Sequence, residues 1–161
     1  MDALTLIIRT HGPALRLYAR QWIADAADAD DAVQEALVAC WKRDPDLGAT
    51  TMPYVFTTVR HAALNLRRGQ QRRSTRGWTA GPGPEPWFVC PIAAAERCSS
   101  IELALRSLPK EQREVIVLPL WGGLTFAEIG VTTACPSGAQ DRDLMGKRSI
   151  SMVQDINARH R

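Results

Sequence analysis

The chain has 161 residues, with 20 Lys plus Arg against 17 Asp plus Glu, a formal charge of +3. That length makes one ordinary domain or two small ones, and 45% hydrophobic with 23% charged residues excludes wholesale disorder, collagen, coiled coil and disulfide scaffolds. No apolar run reaches the ~18 residues of a membrane span, and Asp2 stands where a signal peptide carries a base. Membrane insertion and export are therefore not expected, and the expected location is cytoplasmic.

The first block, 1–73, reads as helices. Pro13 is placed to start one of them, with Leu15, Tyr18 and Trp22 on a shared face. Asp28 suits the cap of a second helix. Val33, Ala36, Leu37, Cys40 and Trp41 then fall at i, i+3, i+4, i+7 and i+8, an amphipathic stripe. Lys42 and Arg43 put bases in its last turn, and Asp44-Pro45 ends it. Pro53 opens a third helix with Val55, Val59, Ala62, Ala63 and Leu66 on one face, and Gly69 marks its expected end. Residues 74–97 are rich in Gly and Pro, lack a period and read as a linker. Trp78, Trp87 and Phe88 are too apolar for a chain adrift in water, so this linker is expected to dock on something.

The second block, 98–161, opens with Ser99 and Glu102 at capping-box spacing. Pro109 starts a further helix, with Val115, Ile116 and Leu118 apolar, and Trp121-Gly122-Gly123 stops it. Thr125 with Glu128 and Ser137 with Gln140 repeat the box. A short helix at 126–132, a turn at 133–136 and a helix from 138 have the spacing of a helix-turn-helix, a pattern that helical pairs without DNA also show.

Charge is concentrated locally. Residues 25–35 carry five acids and no base; residues 60–76 carry six arginines and no acid. Guanidinium is permanently charged and forks onto phosphate oxygens; a solvated surface without a partner is the plainer account of both runs. Cys40, Cys90, Cys98 and Cys135 make no CxxC pair and have no His at zinc spacing. The expectation is reduced thiols, with no metal and no cofactor. No nucleophile or metal partner accompanies His11, His61 or His160, so no enzyme activity is expected.

Asp28 through Trp41 (DADDAVQEALVACW) resembles the DAEDLVQETFLRAW segment of bacterial sigma factors of the extracytoplasmic-function (ECF) group. Pro53 through Arg68 resembles that family's next helix, and Leu108 through Leu118 followed by Trp121 through Ile129 resembles the entry to its C-terminal domain. The three segments stand in the family's order, with a linker of fitting length between them. The resemblance implies an all-α protein of two small helical domains, 1–73 and 98–161, joined by the linker 74–97. It implies an alternative sigma factor, with core RNA polymerase, promoter DNA and an anti-sigma protein as partners. The alternative is a sigma-like regulator that binds polymerase or an anti-sigma protein without reading promoters.

By the same resemblance the acidic helix binds polymerase. Its stripe leaves Asp31, Gln34, Glu35 and Val38 pointing outward. The third helix and its arginines would handle the opened minus-ten strand, which needs cations for the backbone and a stacking surface for bases. Arg60, Arg67, Arg68, Arg72 and Arg73 supply charge, and His61 and Asn65 could bond base edges or phosphate. Tyr54 and Phe56 are stacking candidates, with a core role open for one of them. Thr125, Ser137, Gln140, Arg142, Lys147 and Arg148 would face the minus-thirty-five duplex. There the chain departs from the family: Ala134 stands where the turn carries Gly, Asp141 and Asp143 replace basic or neutral residues, and Gly146 weakens a helix interior by about 1 kcal/mol. Pro119 also sits in what should be a helix end.

Overall fold

Leu15, Leu17, Tyr18 and Ala19 are buried around the C-terminal half of the first helix and fix it against the rest of the chain. The computed structural model describes residues 3–47, 52–74, 85–88 and 91–134, and every regular element among them is helical, as an all-α fold requires. The order is α1 (Ala3–Arg20), α2 (Ala26–Arg43), α3 (Met52–Ser74), a 3-10 turn (Ile92–Ala94), α4 (Ala95–Ser107), α5 (Lys110–Leu120) and α6 (Phe126–Ala134).

Pro13 lies inside α1 rather than at its start. A proline there removes a helical hydrogen bond, at about 3 kcal/mol. Ala3, Leu4 and Ile7 pack on the core from the turns before it, and their burial carries the helix through. The cap of α2 is Asp25, whose carboxylate accepts from the Asp28 N–H at 2.9 Å; Asp28 itself is helical. The buried face of α2 is Ala29, Ala32, Val33, Ala36, Leu37 and Cys40. Trp41 belongs to the outside instead, 48% exposed, because it projects ~100° around the helix from Cys40. Gly69 does not end α3, which continues to Ser74. Gln70 donates to the Asp28 carboxylate and ties that end of α3 to α2.

Ser99 does not cap α4, because the 3-10 turn behind Pro91 starts that helix at Ala95. Glu102 instead pairs with Arg106 at 2.6 Å and accepts from the Trp87 N–H at 2.9 Å. Residues 85–88 thus run against α4. Trp87 and Phe88 pack on the core, with the Arg106 and Arg113 guanidinium groups 4.7 and 5.2 Å from the Trp87 ring centre. Both aromatics are docked, as expected; Trp78 lies outside the described residues.

Pro109 caps α5, whose buried side is Arg113, Glu114, Val117 and Leu118. Val115 and Ile116 face outward. Arg113 donates to the carbonyls of Leu105 (2.7 Å), Arg106 (3.1 Å) and Leu108 (3.0 Å) where α4 ends. The same guanidinium reaches the Gln21 carbonyl beyond α1 at 3.4 Å. Pro119 is accommodated in the last turn of α5. Gly123, at φ 68°, turns the chain, and the Leu124 N–H returns to the Leu118 carbonyl at 3.2 Å. The Thr125 box forms as expected: the Thr125 N–H donates to Glu128 at 2.8 Å, and the Glu128 N–H to the Thr125 hydroxyl at 3.4 Å. Helix α6 runs to Ala134, through the start of the expected turn. The box at Ser137 and the helix carrying Asp141, Asp143 and Gly146 lie outside the described residues.

Both blocks contribute to one apolar core, which takes Leu15, Tyr18, Phe56 and Val59 from the first and Leu118, Leu124 and Ile129 from the second. Cys40 is a free thiol inside it, pushed up in pKa by burial. Cys98 is disulfide-bonded, contrary to the expectation of reduced thiols throughout.

The turn at Gly122 meets α3 closely. A Cβ there would lie 2.6 Å from the Leu118 carbonyl oxygen and 3.0 Å from the Phe56 ring. Gly122→Ala is expected to destabilise the protein by about 1–3 kcal/mol, read from the urea midpoint. An unchanged midpoint would mean that this turn is not seated on α3.

Candidate nucleic-acid and protein interface

Helix α2 separates its acids by what they do inside the fold. Asp25 caps it, Asp28 accepts from Gln70, and Asp30 pairs with Arg16 at 2.8 Å. Asp31, Gln34, Glu35 and Val38 all stand exposed, where their spacing put them. The result is an outward face with two carboxylates, an amide and an apolar side chain at its centre.

Between α2 and α3 lies an open cavity of about 470 Å³. Glu35, Lys42 and Arg43 line it from α2, and Tyr54, His61 and Asn65 from α3. Three of the residues assigned to the opened strand therefore share one cavity with a residue assigned to polymerase. The Arg43 guanidinium lies 4.4 Å from the Tyr54 ring centre and occupies one face of that ring. Phe56 is the partner of the pair that belongs to the core: it is buried and meets Tyr18 edge to face at 5.4 Å.

The arginines of α3 divide between two sides. Arg68, Arg72 and Arg73 are exposed; Arg68 and Arg72 continue the stripe of His61 and Asn65 by helical spacing. Arg60 and Arg67 lie two turns apart on the side toward α5. Arg60 does not join the cavity. Its Nε is 2.9 Å from the Glu114 carboxylate, and its guanidinium is 5.4 Å from the Trp22 ring centre. Lys110 of α5 sits over the same ring at 5.3 Å. Burial, then the charges of Arg67 and Arg113, lower the Lys110 pKa. This seam is a crowd of cations held by one buried anion.

That anion, Glu114, is 1% exposed and also accepts from the Tyr18 hydroxyl at 2.6 Å. Burial and then the Glu114 charge raise the Tyr18 pKa well above the ordinary 10, with Arg60 pulling the other way. A second buried cation, Arg20, donates to the Ala24 carbonyl at 2.7 Å and to the backbone of Glu85 and Pro86. Sequence reading gave Glu114, Arg113, Arg20 and Trp22 no part in a site. A usable signal was present: Arg113 and Glu114 share the helical face of Val117 and Leu118, a charged pair on an apolar side.

Of the residues assigned to the minus-thirty-five duplex, Thr125 has its hydroxyl in the α6 capping box, accepted by Glu128 at 2.8 Å. Ser137, Gln140, Arg142, Lys147 and Arg148 lie outside the described residues. Among the described residues no His, Cys, Asp or Glu cluster could hold a metal ion, and no helix is long and apolar enough to cross a membrane.

Helices α1 to α3 define the class: residues 7–73 match the Sigma-70 region 2 family. The ECF RNA polymerase sigma factor SigL of Mycobacterium tuberculosis is 32% identical over 132 residues, covering 80% of this chain and 75% of that protein. SigD of Mycobacterium bovis, another ECF RNA polymerase sigma factor, is 26% identical over 161 residues, covering 89% and 74%. RpoE of Cereibacter sphaeroides is 24% identical over 117 residues, covering 70% and 64%. No solved structure matches the chain. The chain belongs to the ECF sigma factors of the sigma-70 family. It is an alternative sigma factor, acting with RNA polymerase in promoter recognition and transcription initiation.

The raised Tyr18 pKa has a consequence for stability. The folded state holds this proton more tightly than the unfolded chain, whose tyrosine titrates near 10. The stabilisation is complete below pH ~10 and is lost as pH rises from there through the folded value. Unfolding free energy should fall above pH ~10 with a slope approaching 1.4 kcal/mol per unit, and Tyr18→Phe should remove that component. Equal slopes for the two proteins would show that the phenol is not held as described.

Proposed function

We propose that the outer face of α2 is the polymerase contact and that the α2–α3 cavity with the exposed α3 arginines receives the opened minus-ten strand. The observation that carries this is the allocation of acids on α2. Asp25, Asp28 and Asp30 serve the fold, whereas Asp31, Gln34, Glu35 and Val38 do not contribute to the buried core. A partner helix offering bases and an apolar side chain would meet them. Tyr54, His61 and Asn65 around the cavity offer an aromatic surface and hydrogen-bonding groups to an unstacked base, and Arg67, Arg68, Arg72 and Arg73 lead the backbone away. The segment 98–161 forms the second domain, with Thr125, Ser137, Gln140, Arg142, Lys147 and Arg148 toward the minus-thirty-five duplex. An anti-sigma protein is the further partner, the cytoplasm is the place of action, and the protein performs no chemistry of its own.

Two outcomes follow. Gln34→Ala with Glu35→Lys should leave helicity unchanged and weaken core polymerase binding at least tenfold, measured by titration. Unchanged affinity would remove α2 from the interface. Replacing Arg67, Arg68, Arg72 and Arg73 by Gln should flatten the salt dependence of holoenzyme binding to opened promoter DNA by about 0.7 per lost phosphate contact. An unchanged slope in the folded variant would make these residues ordinary surface charge.

A further inference from the structure

We propose that Arg67 of α3 and Lys110 of α5, beside the Trp22 ring, form a binding site for a doubly charged phosphate group, the terminal phosphate of a small ligand. The seam between these helices carries its charge at two levels. At the first, Arg60 meets an acid, Glu114, at 2.9 Å. Arg67 stands seven residues beyond Arg60 on α3, and Lys110 four residues before Glu114 on α5, so at the second level both helices present a cation. Trp22 joins the levels: the Arg60 guanidinium is 5.4 Å and the Lys110 ammonium 5.3 Å from its ring centre. Glu114 is engaged at the first level, where it also accepts from the Tyr18 hydroxyl. Among the described residues no carboxylate forms an ion pair or hydrogen bond with Arg67 or Lys110.

Arg67 and Lys110 are both half-buried, whereas Arg68 and Arg73 are exposed, so water screens the first pair less than the second. Burial first, then the Arg67 and Arg113 charges, lower the Lys110 pKa, and Glu111 opposes them. The ammonium is therefore short of negative charge in the folded chain. The Trp22 indole N–H is buried with no acceptor, so the seam is short of acceptors as well. A phosphate monoester answers both deficits. It brings close to two negative charges for two cations, and three terminal oxygens for a guanidinium fork and an ammonium. A backbone diester brings one charge per phosphate and suits the exposed arginines of α3 instead. The site goes beyond the promoter reading and does not rest on it, although Arg67 enters both.

The test uses the full chain, titrated calorimetrically with inorganic phosphate at constant ionic strength and at about pH 7.5, where the dianion dominates. Wild type should bind with a dissociation constant below about 1 mM. Lys110→Gln and Arg67→Gln should each weaken binding about fivefold or more through the lost charge-assisted bonds. Lys110→Arg, which keeps the charge, should bind as wild type does, and so should Arg97→Gln, at the far end of α4. Absence of phosphate binding overturns the proposal, as does binding that the two Gln variants leave unchanged. Should those variants lose their helices by circular dichroism, the wild-type chain decides: phosphate should slow acetylation of Lys110 but not of Lys42, and equal rates at Lys110 with and without phosphate overturn the site. A mixed-sequence single strand of about 20 nucleotides with a 5′-hydroxyl forms the second arm. Strand binding that Lys110→Gln weakens, with no binding of free phosphate, assigns the seam to the nucleic-acid backbone and overturns the small-ligand site.

Discussion

A carboxylate removed from water must be met by charge and hydrogen bonds, and the place where Glu114 finds them fixes how the two halves of this chain meet. Its oxygen takes a proton donor from Tyr18 of α1 and another from Arg60 of α3. Those helices are aligned in turn by the small-residue face of α2. The apolar core then closes around the pair, with Phe56 against Tyr18 on one side and against the Gly122 turn on the other. Hydrophobic burial supplies the bulk of the stabilisation, but it is indifferent to register. The buried ion pair selects which turn of α5 faces which turn of α3.

The remaining charges are distributed by the same logic. The two buried arginines among the described residues are each received by backbone carbonyls: Arg113 where α4 ends, Arg20 at the linker. On α2, Asp25, Asp28 and Asp30 cap or pair, whereas Asp31 and Glu35 stand exposed. A run of five acids is thereby resolved into structural and available members, and a run of arginines into a covered side and an open one. For an ECF sigma factor, whose partners are a protein surface and a polyanion, that partition decides which charges a partner can reach.

The helices and their order were legible in the sequence because periodicity is strong over 29–40 and 55–66. The outward set on α2 followed from the same stripe. The Thr125–Glu128 box was legible because its reciprocal bonds are local. Other boundaries were not. Pro13 and Gly69 read as breaks, yet the contacts that override them, Ile7 on the core and Gln70 on Asp28, are made with distant parts of the chain. The Ser99–Glu102 spacing was misleading for the converse reason: Glu102 has better use against Arg106 and the linker. The position of Arg60 depends on Glu114, 54 residues away, and no local pattern reports a partner at that distance. The exposed side of α3 was readable; its covered side needed the fold.

The seam also bears on how such proteins exchange parts. Two blocks joined only by a linker could be recombined freely among relatives. Here the acceptor lies in one block and both donors in the other, so the blocks form a matched pair. A graft that brings in a second block with an apolar residue at position 114 would bury Arg60 against Trp22 and Lys110 with no counter-charge. A graft that replaces the first block would need a hydroxyl at 18 and a cation at 60. Inheritance across this junction is constrained by three side chains, of which two come from the half that shares no sequence contiguity with the third.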